Sequence, residues 1–175
     1  MQIREATIHD AQGIAKVHVD SWRTTYKGII PDDFLNNLSY EQRTELWLHN
    51  IRQKDNFLFV AESTEGKIIG FADFWKRETN TMANSSDLTS IYLLEEYQGR
   101  GIGKKLLEQL FLQIKQLGYQ KIFVDVLAEN KTRYFYEYYG AKLYKSVQIE
   151  MGGKVLEELI YIWDNVDEVL EKLKN

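Results

Sequence analysis

Residues 87–127, "DLTSIYLLEEYQGRGIGKKLLEQLFLQIKQLGYQKIFVDVL", constrain the fold more than any other stretch. A strand pattern runs into three glycines at alternate positions, Gly99, Gly101 and Gly103. A helical pattern follows at once, with Ile102, Leu106, Leu110, Ile114 and Leu117 at three- and four-residue spacing. Gly118 closes that helix as its C-terminal cap. The next segment, "KIFVDVLA", is nearly all apolar, as a strand covered on both faces must be. Strand, helix and strand in this order predict a right-handed parallel crossover. The glycine turn then sits where a strand ends and a helix begins.

The rest of the chain adds to this unit. "QIREAT" predicts a short strand. Thr7 or Asp10 can cap a helix bearing Ile14, Val17, Ser21 and Trp22 on one side. Ser39 with Gln42 makes a capping box for a second long helix, with Leu46, Trp47 and Ile51 expected to face inward. "NFLFVAES" and "KIIGFADFWKR" predict a hairpin turning at Glu65-Gly66. "NKTRYFYEYYG" predicts a short helix from Asn130 to Gly140. Two more strands are joined by Gly152-Gly153, a hairpin signal. Asp164 is expected to cap a closing helix that buries Val166, Val169, Leu170 and Leu173.

Composition limits the function classes. A chain of 175 residues suits one domain, 1–175, and no low-complexity tract or repeat marks a second. The formal charge of −4 argues against general nucleic-acid binding. There is no cysteine, which excludes disulfides, zinc–thiolate sites and a cysteine nucleophile. His9, His18 and His49 are scattered and match no metal spacing, so no metal is expected. No apolar run suits a signal peptide or a membrane span, and a reducing, cytoplasmic setting is expected.

The glycine turn has a chemistry of its own. The first N–H groups of a helix lack intrahelical partners and point outward. The helix dipole adds partial positive charge, worth roughly 0.3–1 kcal/mol for an exposed anion. Missing Cβ atoms let a phosphate approach the backbone. Arg100, Lys104 and Lys105 add cationic side chains nearby. The expected ligand is therefore a phosphate or pyrophosphate. The dinucleotide fingerprint fails because Lys104 stands where its third glycine belongs. The Walker pattern fails because no glycine sits at 98 and Lys105 follows Lys104. What remains is Q-x-x-G-x-G: Gln98, Gly101 and Gly103.

That turn, the Asn130…Phe135-Tyr136…Gly140 helix and the terminal hairpin together resemble the GNAT superfamily of N-acetyltransferases. The resemblance extends from Gln2 to about Trp163. It implies an α/β (α+β) fold: a central mixed, mostly antiparallel sheet of about seven strands, twisted and flanked by helices on both faces. It also implies transfer of an acetyl group from acetyl-CoA to an amine. In that superfamily the turn's amides hold the CoA pyrophosphate, which maps to Gln98, Gly99, Arg100, Gly101, Ile102, Gly103 and Lys104. The preceding strand end, Ile91, Tyr92 and Leu93, bonds the pantetheine arm. Because pantetheine carries two amides, it can act as an extra strand, so strands 88–94 and 121–127 should splay apart. Asn130 matches a helix-capping asparagine that reaches toward the CoA arm. Tyr136 matches a tyrosine beside the sulfur, placed to protonate the departing thiolate as general acid.

The same resemblance puts Asp87 where family members often have a glutamate acting as base; the shorter aspartate favours a bridging water. Asp73, on "GFADFW", is the alternative carboxylate. The acceptor pocket is expected from Tyr26, Phe34 and Trp75, with Trp22 pulled between pocket and core. An aromatic wall suits a cationic amine. Without cysteine and without a G-x-S-x-G elbow, direct attack in a ternary complex is the mechanism implied, with the carbonyl polarised by a backbone N–H such as that of Leu93. Two alternatives stand beside a small-molecule amine acceptor: a protein or peptide amino group, or a CoA-binding sensor without catalysis. The terminal strands are candidate edges for a homodimer.

Overall fold

A computed structural model describes residues 1–175. Seven strands form one sheet in the order β1-β2-β3-β4-β5-β7-β6. They are β1 (Gln2–Glu5), β2 (Phe57–Glu62), β3 (Ile68–Trp75), β4 (Ser85–Leu93), β5 (Lys121–Leu127), β6 (Lys142–Met151) and β7 (Lys154–Trp163). Every neighbouring pair is antiparallel except β4 and β5. The parallel pair is the predicted crossover, made by α4 (Ile102–Gln116). The mixed, mostly antiparallel sheet anticipated from the sequence is therefore present.

Helices cover both faces. On one side α4 buries Ile102, Leu106, Leu107, Leu110, Phe111 and Ile114, a stripe set by helical period. It shares a core with α6 (Val166–Lys174) and with Tyr136 of α5 (Thr132–Tyr138). On the other side α1 (Ala11–Thr25) and α3 (Tyr40–Ile51) close over Leu58, Val60 and Phe71. A third cluster joins Tyr26, Ile30 and Leu35 of the α2 region (α2, Asp32–Asn36) to Leu127 and Leu156.

Three local expectations change. Leu46 is exposed on α3, because Trp47 occupies the inward position beside it. Leu117 is exposed as well, since it lies at the C-cap beyond the last helical turn. Asn165, not Asp164, caps α6: its Oδ1 accepts from the N–H groups of Asp167 and Glu168. Asp164 instead accepts from Lys142 Nζ at 3.4 Å.

The β4–β5 pairing is short. It runs from Ser85–Lys121 to Leu88–Val124 and stops, leaving the end of β4 and the end of β5 without each other. A bulge on β4 marks the place. Asp73 faces Ser90 and Phe74 faces Leu88, so Thr89 is the extra residue. The Thr89 hydroxyl donates to both the Asp73 carbonyl (3.1 Å) and its Oδ1 (2.8 Å). Beyond the bulge the two strands diverge, as anticipated.

Candidate active site

The gap between β4 and β5 opens into a cleft of about 390 Å³. At one end lies the glycine turn. Gly99 and Gly101 adopt positive φ (72° and 76°), where a Cβ is strained. The first intrahelical bond of α4 runs from Lys105 N–H to Gly101 O. The N–H groups from Gly99 to Lys104 have no acceptor within the protein. Gln98, Gly99, Gly101, Gly103 and Lys104 line the cleft here. Ile102 turns its side chain into the core, so only its amide serves the site. Arg100 points to solvent over the Tyr97 ring, 5.4 Å from the centroid. Gln98 has a second role: its Nε2 donates to Leu93 O at 3.1 Å and ties the turn to the end of β4.

Along β4, Leu94 N–H donates to Ile69 O on β3. Strand alternation then turns the backbone groups of Leu93 and Ile91 toward the gap. Ile91, Tyr92 and Leu93 all line it. This edge and the turn fit a pantetheine arm with a diphosphate at its end: amide partners along the strand, then a row of free N–H groups at a helix start.

The other wall is α5. Asn130 accepts from Thr132 N–H through Oδ1 (2.9 Å) and is buried at the cleft. Tyr136 is buried, with its ring against Trp163, whose indole donates to Tyr139 O. The Tyr136 hydroxyl has no partner within the protein, and burial pushes its pKa well above the usual phenol range. Phe135 packs behind Gly103 and also lines the cleft.

Tyr26 reaches the same cleft from α1, and its hydroxyl lies 3.1 Å from that of Tyr92. The structure does not bring the remaining expected residues there. Asp87 is buried in the paired part of β4, where its Oδ2 accepts from Arg77 N–H and Asn80 Nδ2, both at 3.0 Å, and braces the 76–84 loop. Asp73 is buried beside the bulge, and burial raises its pKa to about 6. Phe34 stacks on Trp22 and meets the Gly152 turn. Trp75 sits half exposed at the end of β3. None of these four lines the cleft.

The acidic group that lines the cleft is a different one. Asp125 lines it and is paired with Arg77. Glu158, on β7, has its pKa raised by burial and by the neighbouring Asp125. Strand alternation puts Asp125 and Leu127 on the α1 side of the sheet, with Val124 and Val126 on the α4 side. The signal for Asp125 was in the sequence: it is the single acidic residue inside an otherwise apolar strand.

The comparisons agree with this geometry. The Acetyltransferase (GNAT) family profile matches residues 19–141. The chain is 37% identical over 164 residues to the uncharacterized N-acetyltransferase YuaI of Bacillus subtilis, covering 94% of this chain and 93% of that protein. It is 28% identical over 142 residues to a spermidine N(1)-acetyltransferase of Thermoplasma acidophilum, covering 79% and 85%. The crystal structure of the PaiA N-acetyltransferase of Thermoplasma acidophilum in complex with coenzyme A superposes with a TM-score of 0.73 at 26% identity, covering 90% of this chain and 96% of that one. Profile, relatives and fold agree, and the chain belongs to the Acetyltransferase (GNAT) family, an N-acetyltransferase by descent and architecture.

Proposed function

We propose that this enzyme, one domain over 1–175, transfers the acetyl group of acetyl-CoA to a primary amine of a small molecule, with both substrates bound together. One observation carries the reading. A single cleft runs from the free amides of Gly99–Lys104, along the unpaired edge of β4, to the partnerless hydroxyl of Tyr136. Acetyl-CoA supplies an acyl group activated as a thioester. The amides of 99–104 hold the diphosphate, Ile91 and Leu93 bond the pantetheine amides, and Asn130 supports the arm from α5.

In the transfer step the neutral amine donates its lone pair to the carbonyl carbon, forming the C–N bond. The C–S bond breaks, its electron pair leaves with sulfur, and Tyr136 gives sulfur a proton. The amine's surplus proton passes to water, and the Tyr136 phenolate regains one from water, so the enzyme ends as it began. A phenol of raised pKa stays protonated until that moment and stands ready to meet the thiolate as it forms. Positioning of the two reactants supplies much of the acceleration. Asp125 and Glu158 outnumber the one cation beside them, Arg77, and the net negative charge on the α1 side favours an ammonium arriving there.

The acceptor side is closed in a way that suits a small molecule. The β6–β7 turn packs on α2: a Cβ on Gly152 would come within 3.1 Å of Phe34 Cβ and 3.3 Å of Pro31 Cγ. Lys154 Nζ donates to Ile29 O at 2.9 Å. The relative named for spermidine points the same way.

The test is thiol release from acetyl-CoA with a panel of polyamines, amino acids, simple alkylamines and short peptides, with products identified by mass. Turnover with an amine of the panel is expected, and Tyr136→Phe should lower kcat while coenzyme A affinity holds. Coenzyme A binding without transfer to any member would refute catalysis. Turnover confined to peptides would refute the small-molecule assignment.

A further inference from the structure

One carboxyl on the acceptor side has no partner. Glu158 is half-buried on β7 and takes part in none of the protein's ion pairs. No hydrogen bond supports its charge: burial and the neighbouring Asp125 both oppose it, and only the charge of Arg77 favours it. The register gives its place. Asp125 stands opposite Ile160 and Leu127 opposite Glu158, so the two acids are diagonal neighbours on one face of the sheet, about 7–8 Å apart along the backbone. Asp125 lines the cleft, and Leu127 packs with Tyr26, which lines it too. The Glu158 charge is felt at the Tyr26 hydroxyl. Glu158 thus lies one strand beyond the gap, next to the end where the amine arrives.

The cations nearby are committed elsewhere. Arg77 gives its guanidinium to Asp125 and its backbone N–H to Asp87, which anchors the loop that carries it. Lys154 donates to Ile29 O. Lys145, opposite Ile160 on β6, is exposed and pairs with no acid. Asp125, Glu158 and Arg77 together leave one net negative charge beside the cleft. The attacking nitrogen does not cancel it, because an amine must shed its proton to attack. A monoamine therefore leaves Glu158 unbalanced in the reacting complex. An amino acid adds a second negative charge to the same wall. Of the three classes, a diamine alone brings the positive charge that a half-buried carboxylate requires, on the nitrogen that does not react.

We infer that the acceptor is a diamine or polyamine, with one nitrogen at the thioester and a second held as its ammonium by Glu158. Asp125 keeps Arg77, and the alkyl chain between the two nitrogens spans from the gap to β7 past Leu127 and Tyr26. Glu158 is then the residue that selects the class of amine, and it does so through binding rather than through the chemical step. The assignment rests on the acetyl-transfer reading above and adds to it the substrate class.

Three acceptors of similar length test this: putrescine, pentylamine and γ-aminobutyrate, which end in an ammonium, a methyl and a carboxylate. Wild type should use putrescine with a kcat/KM about 10- to 100-fold above that of pentylamine, the scale of one hydrogen bond to a charged group, and γ-aminobutyrate least. Glu158→Gln should raise the putrescine KM by about that factor at little changed kcat, so that the preference disappears while coenzyme A affinity holds. Glu158→Lys should turn the preference toward γ-aminobutyrate. Equal use of putrescine and pentylamine by the wild type would overturn the assignment. So would a loss in Glu158→Gln that falls alike on both amines, the pattern of a merely structural carboxyl, or a Glu158→Lys variant that still prefers putrescine. If no amine is acetylated, the transfer reading fails, and calorimetry of putrescine against the coenzyme A complex still decides the role of Glu158. Binding about 10- to 100-fold weaker in Glu158→Gln supports that role, and equal binding by both proteins, or none by the wild type, refutes it.

Discussion

Asp73→Asn should stabilise the protein, and by an amount that depends on pH. Asp73 is buried in the middle of the sheet, 2% exposed, and its folded pKa is raised from 3.8 to about 6, chiefly by desolvation. The folded state thus holds this proton more tightly than the unfolded chain does. Between roughly pH 4 and 6 the native protein binds more protons, so stability falls as pH rises through that window. Against a side chain that stays neutral, the carboxyl costs RT ln[(1 + 10^(pH−3.8))/(1 + 10^(pH−6))], with 3.8 the ordinary aspartate value for the unfolded chain and about 6 that of the folded protein. This is about 3 kcal/mol at pH 7 and about 1 kcal/mol at pH 4.5. Asparagine keeps an oxygen for the Thr89 hydroxyl, so the bulge is retained. Urea unfolding of both proteins at the two pH values measures the difference. The variant should gain about 3 kcal/mol at pH 7 and about 1 kcal/mol at pH 4.5. Because Asp73 does not face the cleft, kcat and the amine KM should stay as they were. An equal stability gap at both pH values would refute the reasoning, since the cost would then not come from ionising a buried carboxyl.

His18 works in the opposite sense. Burial lowers its pKa to about 4, so the stability it contributes is present above about pH 6.5 and is lost as pH falls toward 4. In wild type Asp73 masks much of this loss; in Asp73→Asn, going from pH 7 to 4.5 should remove about 2.5 kcal/mol, read by the same unfolding curves. Gly101→Ala puts a Cβ on a left-handed residue and should cost roughly 1–2 kcal/mol of stability while weakening coenzyme A binding in calorimetry. Asn165→Ala removes the cap on two N–H groups of α6 and should cost about 1 kcal/mol, lowering Tm by about 2–4 °C without touching turnover.

The elements that were legible in the sequence are those specified by short-range rules. The glycine turn, the α4 stripe, the two hairpins and the apolar β5 each carry a local period or a positive-φ signal, and each appears where that signal lies. The divergence of β4 from β5 was also anticipated, though from the shape of the ligand rather than from either strand. The carboxylates were harder. Asp87 and Asp73 sit on strands near the right place in the chain, but Asp87 falls before the Thr89 bulge, in the part of β4 still paired with β5, and Asp73 faces that bulge from β3, so neither reaches the gap that opens beyond it. No local pattern announces a single extra residue. Phe34 and Trp75 failed to reach the cleft for a related reason: an aromatic near a pocket in sequence goes to whichever apolar surface closes first, here the Trp22–Gly152 junction for Phe34. Asp125 stands out in the sequence as an acid inside an apolar strand, whereas Glu158 became visible only once β5 and β7 were paired.

The bulge connects these observations into one cause. A parallel ladder between β4 and β5 gains a hydrogen bond with each further residue, so left alone it would continue past Leu88–Val124 and close the gap. An inserted residue bends its strand, and Thr89 is inserted one position beyond the last paired residue. Its hydroxyl holds that geometry by bonding both the carbonyl and the carboxyl oxygen of Asp73. The buried carboxyl that makes the fold less stable at neutral pH is thus part of the brace that turns β4 away from β5. The backbone groups released by the turn, at Ile91 and Leu93, are those that face the cleft, and Gln98 secures the far end by taking the Leu93 carbonyl. The energetic penalty and the binding edge come from the same few residues, which explains why a side chain with an acceptor oxygen remains in a sheet where an apolar one would pack at lower cost.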